Sequence, residues 1–348
     1  MADEIVLSVG GRRWSAWREA SVTVRLGSAA GEFSFTLDDR WSAGAPLDAF
    51  TTGGMGTVAV AGETVLTGPI DVIEPAYKGD SYTVVMRGRD LTGQMIDCSA
   101  ANKPGEWIGQ TLSTIAFDLA EPFGVPVHID ADMGKPFEKF TISEGETAWA
   151  ALRRACLHRG VLLMADGLGG LALTSAGAGG RASPIVAGQN VHAGKGVFDA
   201  TARFSDYIVK GQDGGKGWGD VSAHASVEGR AKDPAVKRYR PHIEIAETSG
   251  NRDDLTRAAE TMAAIAAGRA VKTIHTFTDW RQELKGRVWR PNRVSAVRDE
   301  FLRVDRDMLI EQAAFTVNKE ELRCEVTSVV PSAWKLAALP EKAEDAGW

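Results

Sequence analysis

At 348 residues, 44% hydrophobic and 25% charged, the chain is long enough for roughly two to four separately buried cores and has an ordinary globular composition. A formal net charge of −6 weighs against sequence-independent binding of nucleic acid, and no run reaches the roughly 18 apolar residues of a membrane-spanning helix. The acidic start Met1-Ala2-Asp3-Glu4 lacks the basic and apolar regions of a signal peptide, so folding in a cytosol is expected.

Residues 4–90 read as nearly all β. Ile5-Val6-Leu7-Ser8-Val9 and Arg12-Arg13-Trp14-Ser15-Ala16-Trp17 flank Gly10-Gly11, a two-residue hairpin signal. Val22, Val24 and Leu26 alternate with polar neighbours, and so do Phe33, Phe35 and Leu37. Segments 57–60 and 64–67 flank a second tight turn at Ala61-Gly62-Glu63. With 70–73 and 82–86 they predict six or more short strands, the pattern of a small barrel or sandwich.

From residue 91 the period changes. Ile108, Leu112, Ile115 and Leu119 recur at helical spacing until Pro122 and Gly124, and 125–129 predicts a short strand. Ser143 and Glu146 have capping-box spacing ahead of a helix whose apolar stripe is Trp149, Leu152 and Cys156. Arg153, Arg154, His158 and Arg159 crowd its last turns, where cations favour the helix dipole, and Gly160 suits the left-handed terminator. Strands 161–164 and 171–174 then pair across Asp166-Gly167-Leu168-Gly169-Gly170, closing an α+β unit over 91–175.

Residues 176–183, rich in Gly and Ala, form the best linker candidate. Beyond them 203–210 and 242–246 predict strands, with loops at 211–219 and 230–240. One helix follows: Asn251 as N-cap, Asp253 and Asp254 in its first turn, Leu255, Ala258, Met262 and Ile265 along it, and Gly268 just past its end. Strand 271–277, the stretch Lys285-Gly286-Arg287-Val288-Trp289-Arg290-Pro291-Asn292, and strands 308–317 and 322–330 joined at Asn318-Lys319 read as an antiparallel meander closing a barrel or sandwich. The tail from Ser332, with Trp334 and Trp348, reads as an arm. Thirty-eight glycines imply many turns, and ten tryptophans supply large anchors for interfaces.

Each candidate for chemistry has a plainer explanation. Gly211-Gln212-Asp213-Gly214-Gly215-Lys216-Gly217 resembles a phosphate loop, but no hydroxyl residue follows Lys216 and no helical pattern comes after it. Gly54-Met55-Gly56-Thr57-Val58-Ala59 opens a strand rather than the helix a dinucleotide fingerprint needs. His128, Asp130 and Asp132 alternate as metal ligands on one strand face would, with no second ligand cluster, and the two aspartates suit a strand-ending turn. Glu144 and Glu146 could serve as a glycosidase pair, yet a capping role explains Glu146. Cys98, Cys156 and Cys324 are far apart and read as buried hydrophobes, and Cys156 with His158 points differently around one helix. The basic residues Arg230, Lys232, Lys237, Arg238 and Arg240 suit a solvated loop or a protein contact in a chain this acidic. No catalytic, cofactor-binding or metal residue is assigned, and the residues alone describe a β-rich, multidomain, non-enzymatic protein.

Four stretches, in order, carry a resemblance: Gly88-Arg89-Asp90-Leu91-Thr92-Gly93-Gln94-Met95-Ile96-Asp97-Cys98-Ser99; Ser143-Glu144-Gly145-Glu146-Thr147-Ala148-Trp149, with Arg159-Gly160-Val161-Leu162-Leu163 after its helix; Lys237-Arg238-Tyr239-Arg240-Pro241; and Gly286-Arg287-Val288-Trp289-Arg290-Pro291-Asn292. Their succession resembles the baseplate hub proteins of Mu-like contractile-tailed phages and prophages, relatives of the late-control D proteins and of the hub portion of type VI secretion spikes. The resemblance implies a β-rich α+β fold with two similar antiparallel β-barrels. These would be 1–90 and 176–331, the second with helix 252–268 inserted. A small α+β domain, 91–175, lies between them, and an arm, 332–348, follows. It also implies a homotrimer whose six barrels form a pseudo-sixfold ring in the virion's tail baseplate, assembled in the host cytoplasm. Such a ring adapts a sixfold tail tube to a threefold membrane-piercing spike during host entry, with a channel through which DNA passes without being specifically bound. Two other functions compete with this one: a tail-associated cell-wall hydrolase using Glu144 or Glu146, and a receptor- or glycan-binding β protein using exposed tryptophans.

Overall fold

The computed structural model describes residues 5–39, 49–212, 226–245, 252–282, 286–319 and 321–336. The first region contributes β1 (Ile5–Val9), β2 (Arg12–Trp14), β3 (Glu19–Arg25), β4 (Glu32–Asp39), β5 (Met55–Val60), β6 (Glu63–Lys78) and β7 (Ser81–Arg89). Val9 pairs with Arg12 across Gly10 and Gly11, which take φ of +56° and +78°. Positive φ at both central residues matches the twist of the flanking strands, and glycine adopts it without a Cβ clash. Segments 64–67 and 70–73, expected as separate strands, are one strand, β6. Its ladder to β7 absorbs an irregularity between Ile70 and Val72 instead of breaking.

The middle region holds α1 (Gly93–Asp97), β8 (Glu106–Ile108), α2 (Leu112–Ala120), β9 (Val127–Ile129), β10 (Lys139–Thr141), α3 (Ala148–Arg159), β11 (Leu162–Ala165) and β12 (Leu171–Thr174). Strands β11, β12 and β9 form one small sheet and β8 pairs with β10. Leu112, Ile115 and Leu119 of α2 and Ala151, Leu152, Ala155 and Cys156 of α3 meet in a separate core with Trp107, Phe137 and Phe140. Ile108 is not part of the helix as its spacing suggested. It lies on β8, exposed, and α2 starts only after Thr111, whose hydroxyl accepts the Thr114 N–H at 3.2 Å. Likewise Ser143 and Glu146 close a turn ahead of α3, while Thr147 caps the helix by accepting the Ala150 N–H at 3.2 Å. Gly160 ends α3 in the left-handed region, as expected.

The last region supplies β13 (Ile185–Val186), β14 (Ala193–Phe198), β15 (Asp206–Gln212), β16 (Ser226–Lys232), β17 (Pro241–Ile245), α4 (Arg252–Arg269), β18 (Val271–Phe277), β19 (Val294–Asp299), β20 (Val304–Val317) and β21 (Leu322–Val329). Strands β16, β15 and β17 make a three-stranded sheet against which α4 buries Leu255 and Ala259. Arg230 and Lys232 therefore lie on a strand, not in a loop. Gly268 lies within α4, where a Cβ would stand 2.3 Å from the backbone N of Ala333; the glycine allows the helix to touch the short 3₁₀ turn Pro331–Trp334. Residues 177–182 are anchored rather than free: the N–H of Gly177 donates to Asn292 Oδ1 at 2.7 Å and Ala182 N–H to Val294 O at 2.9 Å. Asn251, Lys285, most of the glycine-rich 211–219 segment and the arm beyond 336 lie outside the described residues.

The first and last regions share one sheet. Its order is β14-β18-β21-β20-β3-β4-β7-β6-β5-β1-β2, with β19 on β20 and β13 on β19, thirteen strands in all among the described residues. Two separately closed barrels are not what this pairing describes: the ladder is an open path, and β20 is long enough to pair with β21, β19 and β3. One apolar core follows, holding Phe33 and Phe35 of the first region beside Phe277, Trp280, Trp289 and Phe315 of the last.

Candidate functional site: exposed edges and a buried seam

The residues singled out in the sequence do not converge. His128 on β9 is exposed, with Nε2 3.3 Å from Asp166 Oδ2, and Asp132 accepts the Gly134 N–H at 2.9 Å in a turn. Among the described residues no three His, Cys, Asp or Glu side chains gather as a metal site. Glu144 is exposed in its turn. Glu146 is gripped by the Arg154 guanidinium at 3.1 and 2.7 Å and accepts the Ser143 N–H at 3.0 Å. Burial pushes its carboxyl up, but the Arg154 and Ser143 hydrogen bonds outweigh that and hold it below the ordinary glutamate value, the wrong direction for a general acid. Burial also pushes the Cys156 thiol up to about 12. Cys324 is buried as expected, whereas Cys98 is exposed. Segment 54–59 is strand β5 with no helix after it. Of the basic group, Arg230 pairs with Glu228 at 2.8 Å and Arg240 donates to Thr201 O at 2.7 Å while lying over Phe204. The seven tryptophans among the described residues are buried or half-buried.

What the chain leaves exposed is strand edge and apolar tips. The tip of the β6–β7 hairpin is exposed, with Tyr77 across from Tyr82. At one end of the sheet, β14 pairs only with β18 among the described residues and exposes Phe198, and Phe301 stands 92% exposed in the turn between β19 and β20. Among the described residues strand β17 pairs only with β15, and it exposes Ile243 and Ile245. Unpaired backbone and uncovered apolar side chains at sheet edges are templates for protein–protein contact.

A second feature, missed in the sequence, is the seam between the long sheet and the middle region. Arg89 ends β7 with its guanidinium on Asp97 at 2.7 Å and Asp71 at 2.8 Å, and these hydrogen bonds raise its pKa. Asp90 follows, 1% exposed. Its N–H donates to Gly31 O at 3.0 Å, its Oδ1 faces the Thr92 N–H and hydroxyl at 3.4 and 3.3 Å, and its Oδ2 has no hydrogen-bond partner among the described residues. Thr92 bonds back to Ala29 O at 2.6 Å. From the far side comes the turn between β11 and β12, where Asp166 Oδ1 accepts the N–H groups of Leu168 at 2.6 Å and Gly170 at 2.9 Å. The two surfaces approach too closely for a side chain at Gly167, whose Cβ would lie 2.4 Å from Val65 O, and where the sheet leads into the seam a Cβ on Gly68 would lie 2.0 Å from Arg89 O. Arg290 reaches Thr64 O beside them. Burial, with Asp166 adding like charge, pushes the Asp90 carboxyl up to about 7 against the pull of the Thr92 hydrogen bonds and of the Gly169 N–H. The sequence signal for this seam was the density of glycine around two aspartates, Gly88 and Gly93 on one side and Gly167, Gly169 and Gly170 on the other.

Comparison with known proteins adds the following. Residues 92–175 match the family described as baseplate hub protein gp44-like, second domain. Residues 4–90 match the N-terminal part of the Mu phage baseplate assembly protein GpP-like family, and 253–337 the fourth domain of GpP. The chain is 30% identical over 330 residues to baseplate hub protein gp44 of Escherichia phage Mu, covering 92% of this chain and 86% of that protein. Its fold is similar to the 43 kDa tail protein of prophage MuSo2 from Shewanella oneidensis, with TM-score 0.84, 28% identity, and 96% and 100% of the two chains covered. At 10% identity and TM-score 0.61, covering 96% of this chain and 80% of the other, it shares the fold of an E. coli component of the type VI secretion system.

Proposed function

Because the chain belongs to the family of the Mu baseplate hub protein gp44, we propose that it is the central hub of a contractile-tail baseplate, a homotrimer joining a sixfold tail tube to a threefold membrane-piercing spike during host entry. The kinship makes it a structural tail protein and not an enzyme. The observation that carries the finer reading is the β3–β20 ladder, in which Val22 pairs with Phe315 and Val24 with Ala313. It sets two β regions side by side in one sheet, so each chain supplies two adjoining wall segments and three chains supply six. Each segment is taken as one barrel-like unit, 1–90 and 176–331, with 91–175 as a domain between them and 332–348 as an arm. The exposed edges β14 and β17 and the aromatic β6–β7 hairpin are the surfaces such a ring offers to neighbouring copies, the tube and the spike. The particle is the virion's tail, assembled in the host cytoplasm, and its central channel passes DNA without specific contacts. No catalytic, cofactor or metal role is assigned to any residue. Negative-stain images of the purified chain test this: three-subunit rings with an open centre are expected, and isolated single chains would contradict it.

A further inference from the structure

The Asp90 seam does more than join two regions. Asp90 is the last residue of the sheet's β7 path before the middle domain, and its carboxyl is closed off from solvent with one oxygen unpartnered. The charged groups that face this seam come from five elements. On its own strand, Arg89 is turned away onto Asp71 and Asp97. From the β11–β12 turn comes Asp166, and from β9 comes His128, which meets Asp166 at 3.3 Å. From the stretch before β19 comes Arg290, whose buried guanidinium lies in the field of Asp166 and of Glu63 at the start of β6. The β3–β4 turn contributes only Ala29 O and Gly31 O. Positive charge in the seam thus sits on the Asp166 side, and among the described residues Asp90 is met only by neutral donors, the Thr92 N–H and hydroxyl and the Gly169 N–H.

We propose that this seam is a proton-operated latch, in which a proton on Asp90 lets the 91–175 domain dock against the long sheet and loss of that proton loosens it. The mechanism is direct. With the proton on, Oδ2 is a hydroxyl and Asp90 adds no charge to the seam. With the proton off, the Asp90 carboxylate lies in the field of Asp166 with no cation paired to it among the described residues, and a buried unpaired charge is among the costliest arrangements in a protein. Relief comes from separating the surfaces, which lets water reach Asp90. The contacts that would part are the Gly167 approach to Val65 O, the Thr92–Ala29 hydrogen bond and the 3.4 Å bond from Ala165 N–H to Ser28 O. Burial pushes the Asp90 carboxyl up to about 7, so the latch works near neutral pH. This inference stands whether or not the hub reading does.

Hydrogen exchange of the full chain between pH 5.5 and 8.5, corrected for the intrinsic chemical rate, tests it. Protection of amides in 165–171 and 28–31 is expected to fall about tenfold or more above pH 7, while amides of α4 keep theirs. In Asp90→Asn, where no proton can leave, protection in the seam is expected to stay flat with pH. In Asp166→Asn, which keeps an acceptor for Leu168 and Gly170, the fall is expected to shrink. Flat protection in the unaltered chain, or the same fall in Asp90→Asn, overturns the proposal. Should Asp90→Asn not fold, a ¹³C titration of the native Asp90 carboxyl decides: titration near pH 7 supports the latch, and a carboxylate ionised throughout this range overturns it.

Discussion

In the half of the long sheet built from β3, β4 and β7, the inward side chains are Val22, Val24, Phe33, Phe35, Leu37, Val84 and Met86. In the half built from β14, β18, β19 and β21, inward positions carry Thr273, His275, Ser295, Asp299 and Ser328 beside Phe277 and Val326. Some of these polar groups are matched. Ser295 donates to Ser183 O at 2.7 Å, Asp299 accepts the Leu302 N–H at 2.9 Å, and His275 Nε2 meets Asp299 Oδ2 at 3.3 Å. Others are not: Thr273 Oγ1, Ser328 Oγ and His275 Nδ1 have no hydrogen-bond partner among the described residues. The first half rests on burial of hydrocarbon, at about 25 cal/mol per Å². The second gives part of that back, because each unmatched buried polar atom costs about 1–3 kcal/mol. It is the half expected to open first, although both belong to one core.

The largest effect tests that shared core. Trp289 is wholly buried with its ring 4.8 Å from Phe277, and Phe35 is wholly buried in the other half. Trp289→Ala and Phe35→Ala should each cost about 3–5 kcal/mol, measured by denaturant unfolding, with a single transition followed by both fluorescence and circular dichroism. Two transitions, with only one moved by each variant, would separate the halves. If the chain forms the proposed trimer, Trp289→Ala should also reduce its assembly.

The next effect is smaller and depends on pH. Asp90's folded pKa of about 7 lies above the ordinary aspartate value of 3.8, so its contribution is full below pH 3.8 and is lost as pH rises through 7. The stability of the native chain relative to Asp90→Asn should therefore fall by about 2–4 kcal/mol between pH 4 and pH 8. A difference that stays constant with pH would place Asp90 in an ordinary solvated setting.

Two finer effects probe the polar half. Thr273→Val and Ser328→Ala remove unmatched hydroxyls with little change in volume and should raise stability by up to about 1 kcal/mol each. A loss above about 1 kcal/mol in either would mean that the hydroxyl is hydrogen-bonded. The smallest effect is that of His275, whose pKa burial lowers against the opposing pull of Asp299. Its neutral form favours the fold, so its contribution is full above its ordinary value and is lost as pH falls below it, the opposite sense to Asp90. Denaturation midpoints of the native chain and His275→Gln should converge on going from pH 7.5 to 5.5; parallel midpoints would show that His275 does not titrate there.

The same contrast explains what the sequence disclosed. Strands β3, β4 and β7 were legible because inward hydrocarbon alternates with outward polar residues. Strand β19 was not, since Ser295 and Asp299 occupy inward positions and break the apolar period. Strand β14 was hidden as well: Gly194 and Gly196 lie across from His275 and Thr273, where a Cβ on Gly194 would come 3.1 Å from Asp299 Oδ2. Ile108 fell in phase with a helix it does not join, because the spacing of one residue cannot tell a preceding strand from a first turn. The turn and cap residues, Gly10-Gly11 and Gly160, were readable from backbone preference alone. The seam was not, because the burial of Asp90 is decided by Gly167–Gly170, some 77 or more positions away along the chain. The exposed tips Phe198, Phe301 and Tyr77 were equally silent, since exposure leaves no periodic trace.

The central claim is that one chain provides two adjoining segments of a threefold ring. Sedimentation equilibrium of the purified protein at micromolar concentration tests it most directly. A mass of about 110 kDa, three times the 37.2 kDa chain, is expected; a stable species of 37.2 kDa would contradict it.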